Sequence, residues 1–158
     1  MSDVVIVGTS HTIQRDMSHS GFKSYIEDLI SQFGIKVIAE EIDVDSIPSQ
    51  LAEKHNLQYI NIEPNPAERA ALGIPSLNLI EHSIFREFDD FDSEEAQAEC
   101  ERRKQEAYRS REQEWLKRVE SIQANPILVI CGANHFEPFS ELLEQSGISV
   151  TKHCSLWE

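Results

Sequence analysis

Two histidines stand in the same local phrase at opposite ends of the chain. Gly8-Thr9-Ser10-His11 closes the first apolar run, and Gly132-Ala133-Asn134-His135 closes another near the far end. Each reads as a strand, a glycine, two small residues and a histidine. Near neutral pH, histidine is the side chain suited to general base chemistry, proton shuttling or metal ligation. A glycine after a buried strand permits a sharp backbone turn. Each imidazole is therefore expected at the C-terminal edge of its strand, where open α/β sheets bind ligands. Alone, either histidine reads as a helix cap or a polar loop residue. Two at equivalent places point to one shared pocket.

Acidic and basic candidates join them. Glu40 and Glu41 follow the second apolar strand and so belong to the same sheet edge. Alternation along a strand directs only one of the pair into the pocket. A carboxylate beside two imidazoles could complete a metal site of two His and one acid. It could instead orient a histidine acting as base, or be no more than a solvated acidic loop. Arg111 falls on the helical face of Tyr108 and Trp115. A charge on a core-facing stripe needs a partner. Glu41, a bound anion or a carbonyl oxygen would serve, and the alternative is a head that snorkels to water. Arg69, on a proline-flanked loop, is a lesser basic candidate. Gly8, Ser10, Glu40, Gly132 and Asn134 are the expected ligand-contacting positions around these groups. His19, His55, His82 and His153 share no ligand spacing, and Cys131 reads as a buried, inert thiol. No G-x-S-x-G elbow, Walker loop or dinucleotide G-x-G-x-x-G occurs.

The elements that must position these residues follow from apolar spacing. Residues 4–7 form a continuous apolar run, as in a strand covered on both faces. Phe22, Tyr25, Ile26, Leu29 and Phe33 recur at helical spacing, and Gly34 is placed to end that helix. Strands are expected at 35–39, 57–62, 127–130 and from 148. Asp45 or Ser46 can cap a short helix between the second and third strands. Prolines and Gly73 make the next stretch irregular, and 77–91 reads as a helix, a lid or both in part. Ser93 caps a long charged helix of about 94–124, with Glu94 and Glu95 at its positive end. A last helix ends near Gly147. Strands alternating with helices predict one α/β domain over 1–158, its sheet mainly parallel with right-handed crossovers.

Composition narrows the function classes. The 158 residues suffice for a hydrophobic core, and 40% hydrophobic with 27% charged residues is an ordinary globular balance. A net charge of −14 argues against nucleic acid or an anionic membrane as partner. No apolar run approaches a bilayer span, and the N-terminus resembles no signal peptide but the start of a mature domain. Three widely spaced cysteines form neither a disulfide framework nor a metal knuckle, so a reducing cytoplasm is the expected compartment.

The segments VVIVGTSH, VIAEEID, REQEWLKRVESI and ILVICGANH resemble, in order, the motifs of the TraB/PrgY/Tiki family. That family is related more broadly to erythromycin esterase and the haem-binding ChaN-like proteins. The match falls on Gly8 and His11, then Glu41 of Glu41-Ile42-Asp43, then Arg111, then Gly132 and His135. The resemblance implies an α/β fold and a metal-dependent, hydrolase-like site. His11 and His135 would then bind a divalent ion such as zinc or manganese, or hold a water. Glu41 would be a ligand or general base, and Arg111 would stabilise an oxyanion or orient Glu41. The substrate would be a small molecule or a peptide. The competing expectation is a non-catalytic module that uses the same pocket for a small ligand, or the long, largely polar helix as a homodimer or partner surface.

Overall fold

The computed structural model describes residues 2–42 and 44–158. Asp43, the last residue of the Glu41-Ile42-Asp43 phrase, lies outside the described residues. The chain divides into two compact units, Met1–Glu63 with Glu114–Glu158, and Pro64–Gln113.

The first unit is a five-stranded sheet between helices. Its strands are β1 (Asp3–Thr9), β2 (Val37–Glu40), β3 (Gln58–Asn61), β4 (Ile127–Gly132) and β5 (Ser149–Cys154). All pair in parallel, in the order β3-β2-β4-β1-β5. Strand β4 thus inserts between β1 and β2, although most of the chain separates it from both. The register sets Thr9 opposite Gly132, and Glu40 opposite both Ile130 and Asn61. The sequences of β1, β2 and β4 are near-continuous apolar runs because both faces of the sheet are covered.

Alternate residues supply two cores. Val5, Val7, Ile38, Leu128 and Ile130 meet helices α2 (Ser20–Phe33) and α3 (Ile47–Lys54) through Phe22, Ile26, Leu29, Ile47 and Leu51. Val4, Ile6, Val37, Ala39, Ile127, Val129 and Cys131 meet, on the other face, Phe136, Phe139 and Leu143 together with Trp115, Leu116 and Val119. Gly34 ends α2 in the left-handed conformation at φ 61°, as a Schellman-type terminus requires. Of the two candidate caps for α3, Ser46 is the one used, and it forms a reciprocal capping box with Ser49.

The second unit contains α4 (Pro66–Ala71), α5 (Leu77–Glu87) and most of α6 (Glu94–Glu120). The ambiguous stretch after Gly73 is therefore helical over α5. Ile74, Ile80, Ile84, Ala96, Cys100 and Ala107 form its small core. Ser93 accepts from the Ala96 N–H and caps α6 as expected. The exposed side of α6 is laced with ion pairs such as Arg102 to Glu99 and Glu106. Remaining elements are α1 (His11–Gln14) and α7 (Ala133–Gln145), in the first unit. Among the described residues no helix is long and apolar enough to cross a membrane.

The expected sharp turns at Gly8 and Gly132 are not what those glycines provide. Neither has a positive φ. At Gly8 the need is close approach. A Cβ there would stand 2.2 Å from the carbonyl oxygen of Ser155, because residues 155–157 cross the end of β1. The Trp157 N–H donates to the Gly8 carbonyl at 2.8 Å, and Thr9 Oγ1 donates to the Trp157 carbonyl at 2.8 Å. Gly8→Ala should therefore cost about 1–3 kcal/mol by overpacking. Chemical denaturation would measure it, and faster hydrogen exchange at the Trp157 amide would localise it.

Candidate functional site

The C-terminal ends of three neighbouring strands carry the candidate groups. Strand β1 runs through Thr9 to Ser10, which caps the short helix α1 by accepting from the Ile13 N–H. His11 is the first residue of that helix. Strand β4 runs through Gly132 straight into α7, whose third residue is His135. Glu41 is the residue after β2, and its N–H still donates to the Ile130 carbonyl of β4 at 2.9 Å. Insertion of β4 between β1 and β2 is what sets these three residues side by side.

Glu41 is the centre. Its side chain is 2% exposed, and an unpaired carboxylate at that depth would be costly. Oε1 accepts the Gly132 N–H at 2.7 Å, at the start of α7, where the helix dipole also favours negative charge. A Cβ at Gly132 would stand 3.4 Å from Oε1, an ordinary contact. Oε2 faces both imidazoles, at 3.5 Å from His11 Nε2 and 3.9 Å from His135 Nε2. The two histidines are not equivalent in setting. The His135 side chain is 6% exposed and lies edge-on to Trp115, with ring centres 4.7 Å apart. The His11 side chain is 46% exposed. The cluster therefore meets solvent on the His11 side. Asn134, beside it in α7, is exposed.

Glu40 occupies a different setting from its neighbour. Its carboxylate is fully buried and accepts three hydrogen bonds. The Ser46 hydroxyl reaches Oε1 at 2.5 Å, the Tyr59 hydroxyl reaches Oε1 at 2.6 Å, and Gln14 Nε2 reaches Oε2 at 2.9 Å. Burial pushes its pKa up, against the pull of those three donors. Burial and the adjacent Glu40 charge also push the Tyr59 hydroxyl well above its ordinary value, so it stays a donor.

Arg111 belongs to the second unit. There its guanidinium lies 6.0 Å from the centre of the Tyr108 ring, and with Arg69, Pro75, Ser76 and Leu77 it borders a cavity of about 160 Å³. Three of the other histidines are engaged locally. His19 caps α2, His55 meets Glu27, and His153 shares a 2.6 Å hydrogen bond with Tyr25.

Several participants are not apparent from the sequence patterns. Gln14 could have been found, because it follows His11 by one helical turn. Tyr59 and Ser46 carry no such signal, since they meet Glu40 only through the β2–β3 register and the placement of α3. Buried Glu63, which accepts the Trp115 Nε1–H at 3.0 Å, likewise has no local signature.

Comparison of the chain with protein-family models, curated proteins and solved structures finds no match.

The setting of Glu40 predicts a pH-dependent stability. Its raised pKa means that the folded protein holds this proton more tightly than the unfolded chain. The group's contribution is complete below the ordinary carboxylate range and is lost as pH rises toward the raised value. Tyr59→Phe removes a donor to the ionised form and pushes the pKa further up. The variant should be destabilised by about 2 kcal/mol at neutral pH. The deficit should shrink as the pH falls below the carboxylate range, in denaturation curves recorded across pH.

Proposed function

We propose that this protein is a small metal-assisted hydrolase acting on an ester or peptide bond. The observation that carries the reading is the approach of two imidazole Nε2 atoms to a single buried carboxylate oxygen, Glu41 Oε2. Among the described residues no three His, Cys, Asp or Glu side chains form a ready-made ligand cluster. The fit therefore rests on donor chemistry. Two imidazole nitrogens and one carboxylate oxygen are the set that zinc or manganese takes at catalytic centres. His11, His135 and Glu41 would hold the ion. When bound, such an ion polarises a scissile carbonyl and brings the pKa of water toward neutrality.

The chain's own groups have separable tasks. The Gly132 N–H fixes one oxygen of Glu41, so the other remains directed at the imidazoles and able to take a proton there. The edge-on ring of Trp115 limits the freedom of His135. His11, at the exposed side, is the first of the three groups that a substrate meets. The resemblance of the four ordered motifs to the TraB/PrgY/Tiki family supports the same chemistry, and this reading uses His11, Glu41 and His135 alone.

The test joins metal analysis to turnover. Purified protein should carry zinc or manganese near stoichiometry, and His11→Ala and His135→Ala should lose it. On whichever ester or peptide is hydrolysed, His11→Ala and Glu41→Gln should each lower kcat/KM by about 10²–10⁴-fold, the range for loss of an acid–base group. Circular dichroism should stay native. Undiminished turnover in both variants would sink the mechanism. Turnover without metal would leave His11 as the general base. Neither metal nor hydrolysis across ester, peptide and phosphoester panels would assign the pocket to a binding module.

A further inference from the structure

Gln14 is fully buried, and none of the chemistry above employs it. Its hydrogen bonds allow only one orientation of the amide. Nε2 donates to Glu40 Oε2 at 2.9 Å and to the main-chain carbonyl of Glu41 at 3.3 Å. An amide oxygen in that place would face two acceptors, so the NH₂ must lie there. The carbonyl Oε1 is thereby turned to His11, whose Nδ1 stands 2.7 Å away. An amide oxygen can only accept, so the hydrogen in this bond belongs to Nδ1.

We propose that Gln14 is a positioning residue that sets the tautomer of His11, placing the ring hydrogen on Nδ1 and presenting the Nε2 lone pair to Glu41 Oε2. The relay is anchored at Glu40. Ser46 Oγ accepts the Ser49 N–H and sends its own hydrogen to Glu40 Oε1, where the Tyr59 hydroxyl also donates. Oε2 is left for the Gln14 amide. The chain of command runs from a buried carboxylate through an amide to an imidazole. It makes Nε2 the reactive nitrogen of His11 and fixes the plane of the ring. A lone pair on Nε2 and a carboxylate oxygen 3.5 Å away form a pair of acceptors that a proton or a cation bridges. Metal-binding histidines depend on this kind of support, in which the second ring nitrogen donates to an acceptor behind it. The catalytic meaning of the tautomer rests on the hydrolase reading, but the tautomer itself does not.

The ring nitrogens of His11 report directly on the proposal. In ¹⁵N-labelled protein stripped of metal by chelation, with His11→Asn used to assign the signal, long-range ¹H–¹⁵N correlation spectra at a pH where the ring is neutral distinguish the two tautomers. Wild type should show a protonated Nδ1 and an unprotonated Nε2. Gln14→Met, which keeps the length and removes both polar atoms, should lose that pattern and shift toward Nε2–H. The expected change in tautomer ratio is about tenfold, the worth of one hydrogen bond. An Nε2–H ring in wild type, or an unchanged Nδ1–H pattern in a folded Gln14→Met, would overturn the proposal. Should Gln14→Met fail to fold, the wild-type spectrum alone decides. The measurement needs no turnover and no added ion, so failure of the hydrolase reading would not be mistaken for failure of this one.

Discussion

The buried carboxylate of Glu41 ties three strand ends together. It follows β2, accepts from the last residue of β4, and faces the histidine that follows β1. Taking such a charge out of water costs several kcal/mol, and the cost is offset only where donors and positive partial charges surround it. The Gly132 N–H at the start of α7 supplies one such donor. Much else in the first unit follows from this need. α7 must begin where β4 ends, and β4 must lie between β1 and β2.

Two adjacent carboxylates show how one sheet edge builds two settings. Alternation sends Glu40 and Glu41 in different directions. Glu40 is met by hydroxyl and amide donors, whereas Glu41 is met by imidazoles and a helix start. The first is a sealed anchor, and the second sits beside a solvent-facing histidine. Gln14 joins them by donating to the Glu40 side chain and the Glu41 main chain together. Groups of one chemical type are thus separated in role by environment, which is the usual route by which proteins divide acid–base tasks.

The second unit is built by a different logic. Its core is small, and the exposed side of α6 is held chiefly by pairs one turn apart, such as Arg103 with Glu99. Each such pair contributes little at a surface, and their number rather than their individual strength supports so long a polar helix. Arg103 also reaches Glu87 of α5, and Lys104 reaches Glu81, so the same charges hold the two helices together.

The local elements were legible from the amino acids. Apolar runs marked the strands, Gly34 marked the end of α2, and Ser46 and Ser93 marked helix starts, because capping and periodicity depend on residues a few positions apart. The pairing of His11, Glu41 and His135 was also foreseeable, since each follows a strand and the C-terminal edges of parallel strands share one side. The sequence did not disclose the position of β4, the use of Gly8 as a passage for residues 155–157, or the contacts of Glu40 with Tyr59 and Ser46. Each depends on segments distant in the chain that meet only when the sheet is assembled. Local patterns in the chain fix which residues stand at the sheet's edge. That β1, β4 and β2 are neighbours emerges only on assembly, because strand order is set by how crossover helices pack on the two faces and not by any local pattern.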